Sequence, residues 1–336
     1  MAGGMGTRLR SITGDTPKPM VPLLGRPMME HIIILLREQG FTDICAAVRY
    51  RAGDIMGYFG DGSRFGVRLQ YRVEDRALGT AGGVKNCWDF YGDEDFLVIS
   101  GDAACDFELR SLMDAHLIRG ADATIALYRS REPLRYGLAV TDHDGLVRSF
   151  IEKPDWRRVV TDLVNTGIYV LSPRVMELVP DSAEYDFGKQ LFPRLLESGR
   201  TVLGVPMDGY WCDVGTPLSY YRCCVDALEG RLHLDIPEQF RPGSAPEAED
   251  APEDADCTEE CPCESRAELM GALSELMLDM GADYSDGLRL RKERYSLHIR
   301  PCADCSAVRI GVCADDAEFA KELALSAKAL AQALKL

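Results

Sequence analysis

Apolar positions along this 336-residue chain follow two periods. Val67, Leu69, Tyr71 and Val73 alternate with polar residues, as in a strand buried on one face, whereas Ile44–Val48, Phe96–Ile99 and Gly167–Leu171 are short continuous runs that fit buried strands. Pro27–Gln39, ended by Gly40, and Glu108–Ile118, ended by Gly120, carry the helical period and the terminal glycine of helices. Strands alternating with helices up to about Leu232 predict an α/β fold with a Rossmann-like, mostly parallel sheet wrapped by helices. Such sheets bind ligands where their strands end, so the polar and glycine residues after each apolar run are where chemistry is expected.

The pattern changes after Leu232. From Arg241 to Arg266 the chain turns to Pro, Ala, Glu and Asp without periodicity, the composition of a solvated linker. Beyond it, Leu269, Leu273, Leu276 and Met277 fall at helical spacing, strands are predicted around Tyr295–Arg300 and Val308–Val312, and a last helix from Asp316 to the end. The expected organisation is a main domain over 1–232, a linker over 233–266 and a small α+β domain over 267–336.

Composition narrows the function. Hydrophobic residues at 46% and charged residues at 27% allow a sizeable core, and no apolar run exceeds five residues against the roughly 20 that span a bilayer. Net charge is −16, which argues against a binder of nucleic-acid phosphates; residues 243–268 alone hold ten acids and one arginine, so the rest is only mildly acidic. The chain opens on Met1-Ala2-Gly3-Gly4 with no signal-peptide pattern, and Cys45 and Cys87 sit inside apolar patterns, so the twelve cysteines read as thiols in a reducing cytoplasm.

The sharpest local signal is Ala2-Gly3-Gly4-Met5-Gly6-Thr7-Arg8-Leu9, followed by Pro17-Lys18-Pro19. It is neither a Walker loop, since no Gly-Lys-Ser/Thr follows, nor the three-glycine dinucleotide fingerprint. Gly3, Gly4 and Gly6 let backbone N–H groups approach phosphate oxygens, and Arg8 and Lys18 add positive charge for the same anion, which suits a polyphosphate. Asp102 follows the run Phe96–Ile99 and lies at the ligand edge of the sheet, where a hard Mg²⁺ accompanying phosphates is expected.

These residues, with Leu78-Gly79-Thr80-Ala81-Gly82, Gly101-Asp102, Tyr136-Gly137, Glu152-Lys153-Pro154, Asn165-Thr166-Gly167 and Trp211-Cys212-Asp213-Val214-Gly215 in this order, resemble the sugar-nucleotide pyrophosphorylases across nearly all of residues 2–230. That family joins a sugar 1-phosphate to a nucleoside triphosphate and releases pyrophosphate, on a fold of the nucleotide-diphospho-sugar transferase type. The resemblance implies that Arg8 and Lys18 bind the triphosphate and stabilise charge in transfer, with Gly3, Gly4, Gly6, Thr7, Gly79 and Thr80 around the nucleotide. It pairs Asp213 with Asp102 on Mg²⁺. It also implies that Glu152 accepts hydrogen bonds from sugar hydroxyls, that Lys153 grips the sugar phosphate, and that Gly137, Asn165, Thr166 and Gly167 border the sugar.

Glu74, five residues before Gly79, stands where the family reads the base. A carboxylate offers only acceptors and guanine's edge offers two adjacent donors, so GTP fits best; mannose 1-phosphate is the sugar implied by the resemblance of the tail to phosphomannomutase, and thymidylyl, uridylyl or adenylyl transfer to glucose 1-phosphate is the alternative within the class. An alternative of another class is a non-catalytic sensor of sugar nucleotides. The expected partners are a nucleoside triphosphate and a sugar 1-phosphate, with neither nucleic acid nor membrane.

The tail from Gly287 through Arg300-Pro301 to Ile310 resembles the C-terminal domain of phosphohexomutases such as phosphomannomutase. Its loop reads Cys302-Ala303-Asp304-Cys305-Ser306, and an aspartate there would repel a phosphate, so mutase activity is not expected. Fused relatives carry a left-handed β-helix that can supply oligomer contacts; here the acidic linker takes its place, and a homo-oligomer stays an open partnership. The family also precedes Ala-Gly-Gly with a short hydrophobic strand, and this chain meets that motif directly after Met1, so a central strand is expected to be lacking.

Overall fold

A computed structural model describes residues 1–4, 6, 9, 15–181, 183–228, 230–235, 257–262, 288–291, 294–301 and 307–333. The chain divides into two compact units. Met1–Met5, Pro17–Met20 and Pro27–Asp213 make the first; Gly6–Thr16, Val21–Arg26 and Val214–Leu336 make the second.

The first unit runs α1 (Met28–Glu38), β1 (Asp43–Val48), α2 (Ala52–Phe59), β2 (Arg68–Val73), α3 (Gly79–Lys85), β3 (Phe96–Val98), β4 (Ala103–Cys105) and α4 (Leu109–Arg119). It continues with β5 (Ala123–Arg129), β6 (Leu138–Thr141), β7 (Val147–Ile151), β8 (Leu163–Leu171), α5 (Phe192–Glu197), β9 (Val202–Pro206) and β10 (Trp211–Asp213). The two long helices lie within a residue or two of their sequence-predicted bounds, because an apolar stripe and a terminal glycine are local properties.

The sheet is mixed rather than mostly parallel. Its order is β9-β5-β8-β6-β7, with β3 also paired to β8. Within it β5 and β9 pair in parallel, while β8 runs antiparallel to β3, β5 and β6; β1 and β2 pair in parallel as a separate two-stranded sheet. The turn Asp142–Leu146 between β6 and β7 is too short for the crossover that parallel neighbours require. β5 and β8 are buried on both sides: Ile125, Leu127, Tyr169 and Leu171 meet Phe187, Leu191 and Phe192, while Ala126, Val164, Ile168 and Val170 meet Phe107, Leu112 and Trp211. Double-sided burial is why these strands read as continuous apolar runs.

Met1 and Ala2 lie between β1 and the end of β3. The Ala2 N–H donates to the Ala47 carbonyl at 2.8 Å, the terminal ammonium donates to the Ile99 carbonyl at 2.8 Å, and the Gly101 N–H donates to the Met1 carbonyl at 2.7 Å. These two residues stand where the sequence comparison expects a first strand.

In the second unit, β11 (Cys257–Pro262), β12 (Leu288–Arg291), β13 (Tyr295–Pro301) and β14 (Ala307–Ala314) form an antiparallel sheet in the order β11-β14-β13-β12. α6 (Pro217–Leu228) packs on α7 (Ala317–Ala333), and α7 packs against β11 and β14, whose Val308, Ile310 and Val312 are buried. β11 falls inside the stretch read as linker. Its period was invisible because Cys257, Glu259 and Cys261 are what pair with Val312, Ile310 and Val308, so the side chains in register with the buried row of β14 include no aliphatic residue. The rest of the expected linker at 236–256 and 263–266, and the helix expected around Leu269–Met277, lie outside the described residues. So do Met5, Thr7 and Arg8 of the glycine loop.

Candidate active site

The centre of the site is built by strand register. β10 pairs antiparallel with β4, and Asp213 faces Ala103, which places Asp213 beside Asp102 across more than a hundred residues of chain. Lys18, in the short helical turn Lys18–Met20, donates to both carboxylates, at 2.7 Å from Asp102 Oδ2 and 3.2 Å from Asp213 Oδ1. Burial disfavours the Lys18 ammonium, but the two aspartates outweigh it and hold its pKa above the usual value. Burial likewise disfavours ionised Asp102, yet Lys18 and the Ser100 hydroxyl hold its carboxyl below the usual range. Two hard oxygen donors already converge on one cation, the donor set that Mg²⁺ takes in phosphate sites, so Asp102 and Asp213 fit the ion expected there.

A second cluster surrounds Glu74, at the end of β2. Its half-buried carboxylate accepts from the Leu78 N–H and lies near Arg49, and burial raises its pKa. Gly3 borders the same group: a Cβ there would lie 3.5 Å from the Arg49 Cβ and 3.9 Å from Glu74 Oε2. Gly83, on α3, is closer still, since a Cβ there would stand 2.4 Å from Glu74 Oε1. Gly79 starts α3 at φ +71°, with space for no Cβ beneath the Tyr185 carbonyl. Gly4 is exposed, and Gly6, in the other unit, accepts from the Leu9 N–H at 2.8 Å.

Thr80 is exposed at the start of α3. Its hydroxyl donates to Asp186 and accepts from the Phe187 N–H, tying the start of α3 to the turn after Tyr185. Thr166 corrects the expectation of a sugar contact through its side chain. It is 3% exposed, and its hydroxyl is bonded to the Ala126 carbonyl at 2.7 Å because the β8 bulge at 165–169 turns it into the core.

The remaining sugar-side residues gather. The Asn165 N–H donates to the Gly137 carbonyl at 2.8 Å, and a Cβ on Gly137 would stand 2.8 Å from Glu152 Oε2. Burial and the nearby Asp186 raise the Glu152 pKa, opposed by Lys153 and Lys189. Lys153 is exposed with φ +43°, a left-handed conformation that a lysine adopts only under constraint from its surroundings. Sequence reasoning missed Ser100, Gly83 and Asp186. Ser100 ends the same apolar run as Asp102, and Asp186 caps the turn at Phe187–Leu191 by accepting from the Gly188 and Lys189 N–H groups, a signal visible as an Asp before a helical start.

A mixed sheet flanked by helices, with paired carboxylates at its strand ends, is a fold of the nucleotide-diphospho-sugar transferase type. Residues 1–230 match the nucleotidyl transferase family, and the chain belongs to it. It is 39% identical over 256 residues to a UTP–glucose-1-phosphate uridylyltransferase of Synechocystis, covering 72% of this chain and 65% of that protein. It is 33% identical over 231 residues to a mannose-1-phosphate guanylyltransferase of Mycobacterium tuberculosis, covering 68% and 64%. This chain therefore spans about two thirds or slightly less of the length of these relatives. Among solved structures, HddC from Yersinia pseudotuberculosis superposes with a TM-score of 0.59 at 30% identity, over 67% of this chain and 96% of that one. A putative glucose-1-phosphate thymidylyltransferase from Bacillus anthracis gives 0.62 at 28% identity, over 71% and 96%. No helix among the described residues is long and apolar enough to cross a membrane.

Proposed function

We propose that this protein transfers a nucleotidyl group from a nucleoside triphosphate to a sugar 1-phosphate, with GTP and mannose 1-phosphate as the preferred pair. The observation that carries the reading is Lys18 held between Asp102 and Asp213 at the strand ends. The reaction is an in-line displacement: an anionic sugar-phosphate oxygen attacks the α-phosphorus, and pyrophosphate leaves. The nucleophile is already ionised, so the site needs charge neutralisation and alignment rather than a general base. Lys18 and, by resemblance, Arg8 serve the triphosphate. Asp102 and Asp213 would hold Mg²⁺, which supplies further positive charge to the phosphates when bound. Glu152 accepts hydrogen bonds from the sugar hydroxyls, Lys153 grips the sugar phosphate, and Glu74 reads the base.

Guanine is favoured by the acceptor-only Glu74 and by the resemblance to guanylyltransferases. A uridylyl reading is favoured by the Synechocystis relative. Pyrophosphate release over a matrix of nucleotides and sugar 1-phosphates with Mg²⁺ separates them. GTP with mannose 1-phosphate is expected to be fastest; UTP with glucose 1-phosphate in first place would overturn the guanine assignment, and no turnover with any pair would favour a non-catalytic sensor.

A further inference from the structure

The oxygens that a metal would use are already occupied by the protein itself. Lys18 Nζ lies 2.7 Å from Asp102 Oδ2 and 3.2 Å from Asp213 Oδ1. The other oxygen of Asp102, Oδ1, accepts from the Ser100 hydroxyl at 2.5 Å. Each Asp102 oxygen therefore holds a donor of the chain and has only its second lone pair to offer. The backbone that carries Lys18 is fixed by the Met20 N–H, which donates to the Pro17 carbonyl at 2.8 Å, so the ammonium can leave the acids only by a swing of its flexible four-carbon stem.

Mg²⁺ takes oxygen ligands at about 2.1 Å. An ion that joined Asp102 Oδ2 to Asp213 Oδ1 would stand where the ammonium stands now. One that used the outer lone pairs would still face the ammonium across a few ångströms, and at that separation a divalent and a monovalent cation repel strongly in a partly desolvated site. Lys18 and a divalent cation are rivals for one pair of carboxylates.

We propose that Lys18 is the resting counter-ion of this site: it keeps a free divalent cation from settling on Asp102 and Asp213, and it releases them when a triphosphate offers the ammonium a stronger anion. This rests on the reading of Asp102 and Asp213 as the pair that holds Mg²⁺. No covalent bond changes. An ammonium is exchanged for a divalent ion, and the carboxylate pair with its cation passes from a net negative charge to neutrality. Because coupling between two ligands is reciprocal, the triphosphate that draws Lys18 away favours the metal, and the metal favours the triphosphate. Loss of the Lys18 charge should then strengthen metal binding to the protein without nucleotide.

The test titrates Mn²⁺ into the nucleotide-free full chain and reads the bound ion by electron paramagnetic resonance. The proteins are the parent, Lys18→Met, Lys18→Gln and Lys18→Met combined with Asp213→Asn, each checked for folding by circular dichroism. Lys18→Gln keeps a neutral amide donor toward the acids and serves if Lys18→Met does not fold. The expected result is binding on the order of tenfold or more tighter in both single variants than in the parent, with the gain cancelled by Asp213→Asn. Equal or weaker binding in the Lys18 variants, with Asp213→Asn still weakening it, would overturn the counter-ion role and leave the metal reading standing. A gain that survives Asp213→Asn, or binding that none of the substitutions changes, would refute the metal reading and the proposal with it.

Discussion

Lys18 Nζ sits 2.7 Å from Asp102 Oδ2, and the same ammonium reaches Asp213 Oδ1 at 3.2 Å. The lysine side chain is 8% exposed and the carboxylates 31% and 32%, so water screens the acids but barely reaches the base. One cation is shared by two anions, and the cluster keeps a net negative charge. That imbalance suits a further cation at this point and makes Lys18 expensive to remove.

Lys18→Met is expected to lower stability at neutral pH by about 1–3 kcal/mol, less than a fully buried pair because the acids are partly solvated. Urea denaturation measures it. The folded pKa of Asp102 lies below its ordinary 3.8, so its stabilisation is present above that value and is lost as pH falls through the folded pKa. The difference between the two proteins should therefore shrink on strong acidification. A gap that persists unchanged there would mean the loss comes from packing of the lysine stem.

Asp102→Ala and Asp213→Ala are each expected to reduce Mg²⁺-dependent pyrophosphate release by about a hundredfold or more, because the charge they organise acts on the transferring group. Steady-state kinetics at saturating substrates decides. A change confined to KM would move both residues from charge stabilisation to ground-state binding.

Glu74→Gln should erode the preference for GTP over UTP by about tenfold, since one acceptor becomes a donor facing a donor. Burial holds the Glu74 carboxyl above its ordinary pKa of 4.5, so it gains a proton at a higher pH than an exposed glutamate would, and on the proposed reading guanine then loses an acceptor. GTP affinity should fall on acidification in the parent and change less in Glu74→Gln; identical pH profiles would refute the assignment.

Lys153 carries positive φ, a conformation that glycine adopts without a Cβ penalty. Lys153→Gly is expected to leave stability unchanged or raise it by about 0.5–1 kcal/mol while raising the KM for the sugar phosphate. Lys153→Ala should raise that KM without the gain. If both variants kept the parental KM, the phosphate role would be wrong.

Two glycines on one helix should respond differently to alanine. At Gly79 the new methyl would meet the Tyr185 carbonyl at 2.5 Å with φ at +71°, so backbone must move and a loss of about 2 kcal/mol or more is expected. At Gly83 the obstacle is the Glu74 carboxylate, a flexible side chain that can swing aside. Gly83→Ala should melt near the parental temperature but lose base discrimination. Equal melting losses in the two variants would show that Glu74 is rigidly held.

What could be read along the chain was whatever neighbouring residues decide together. An apolar stripe closed by glycine marks α1 and α4, and apolar runs mark β3 and β8. Even the strand-end position of Asp102 is local, since it follows an apolar run. The ordered motifs carried the family resemblance over nearly all of residues 2–230, and the family match spans 1–230.

Pairing was not legible, because a strand's period records burial and says nothing of its partner. The antiparallel setting of β8, the strand at Cys257–Pro262 and the register of Asp213 against Ala103 all depend on segments far apart in sequence. Hydroxyls follow the same rule. Thr80 and Thr166 look alike as polar residues in glycine-bearing motifs, yet one ties a helix to Asp186 and the other is bonded in the core to Ala126. The sequence by itself determined which residues carry charge, which lie at strand ends and which stretches must be buried. Only the tertiary structure decided that Lys18 lies between Asp102 and Asp213 and that Glu74 meets Gly83, since these contacts exist only once chain segments far apart in sequence fold onto one another.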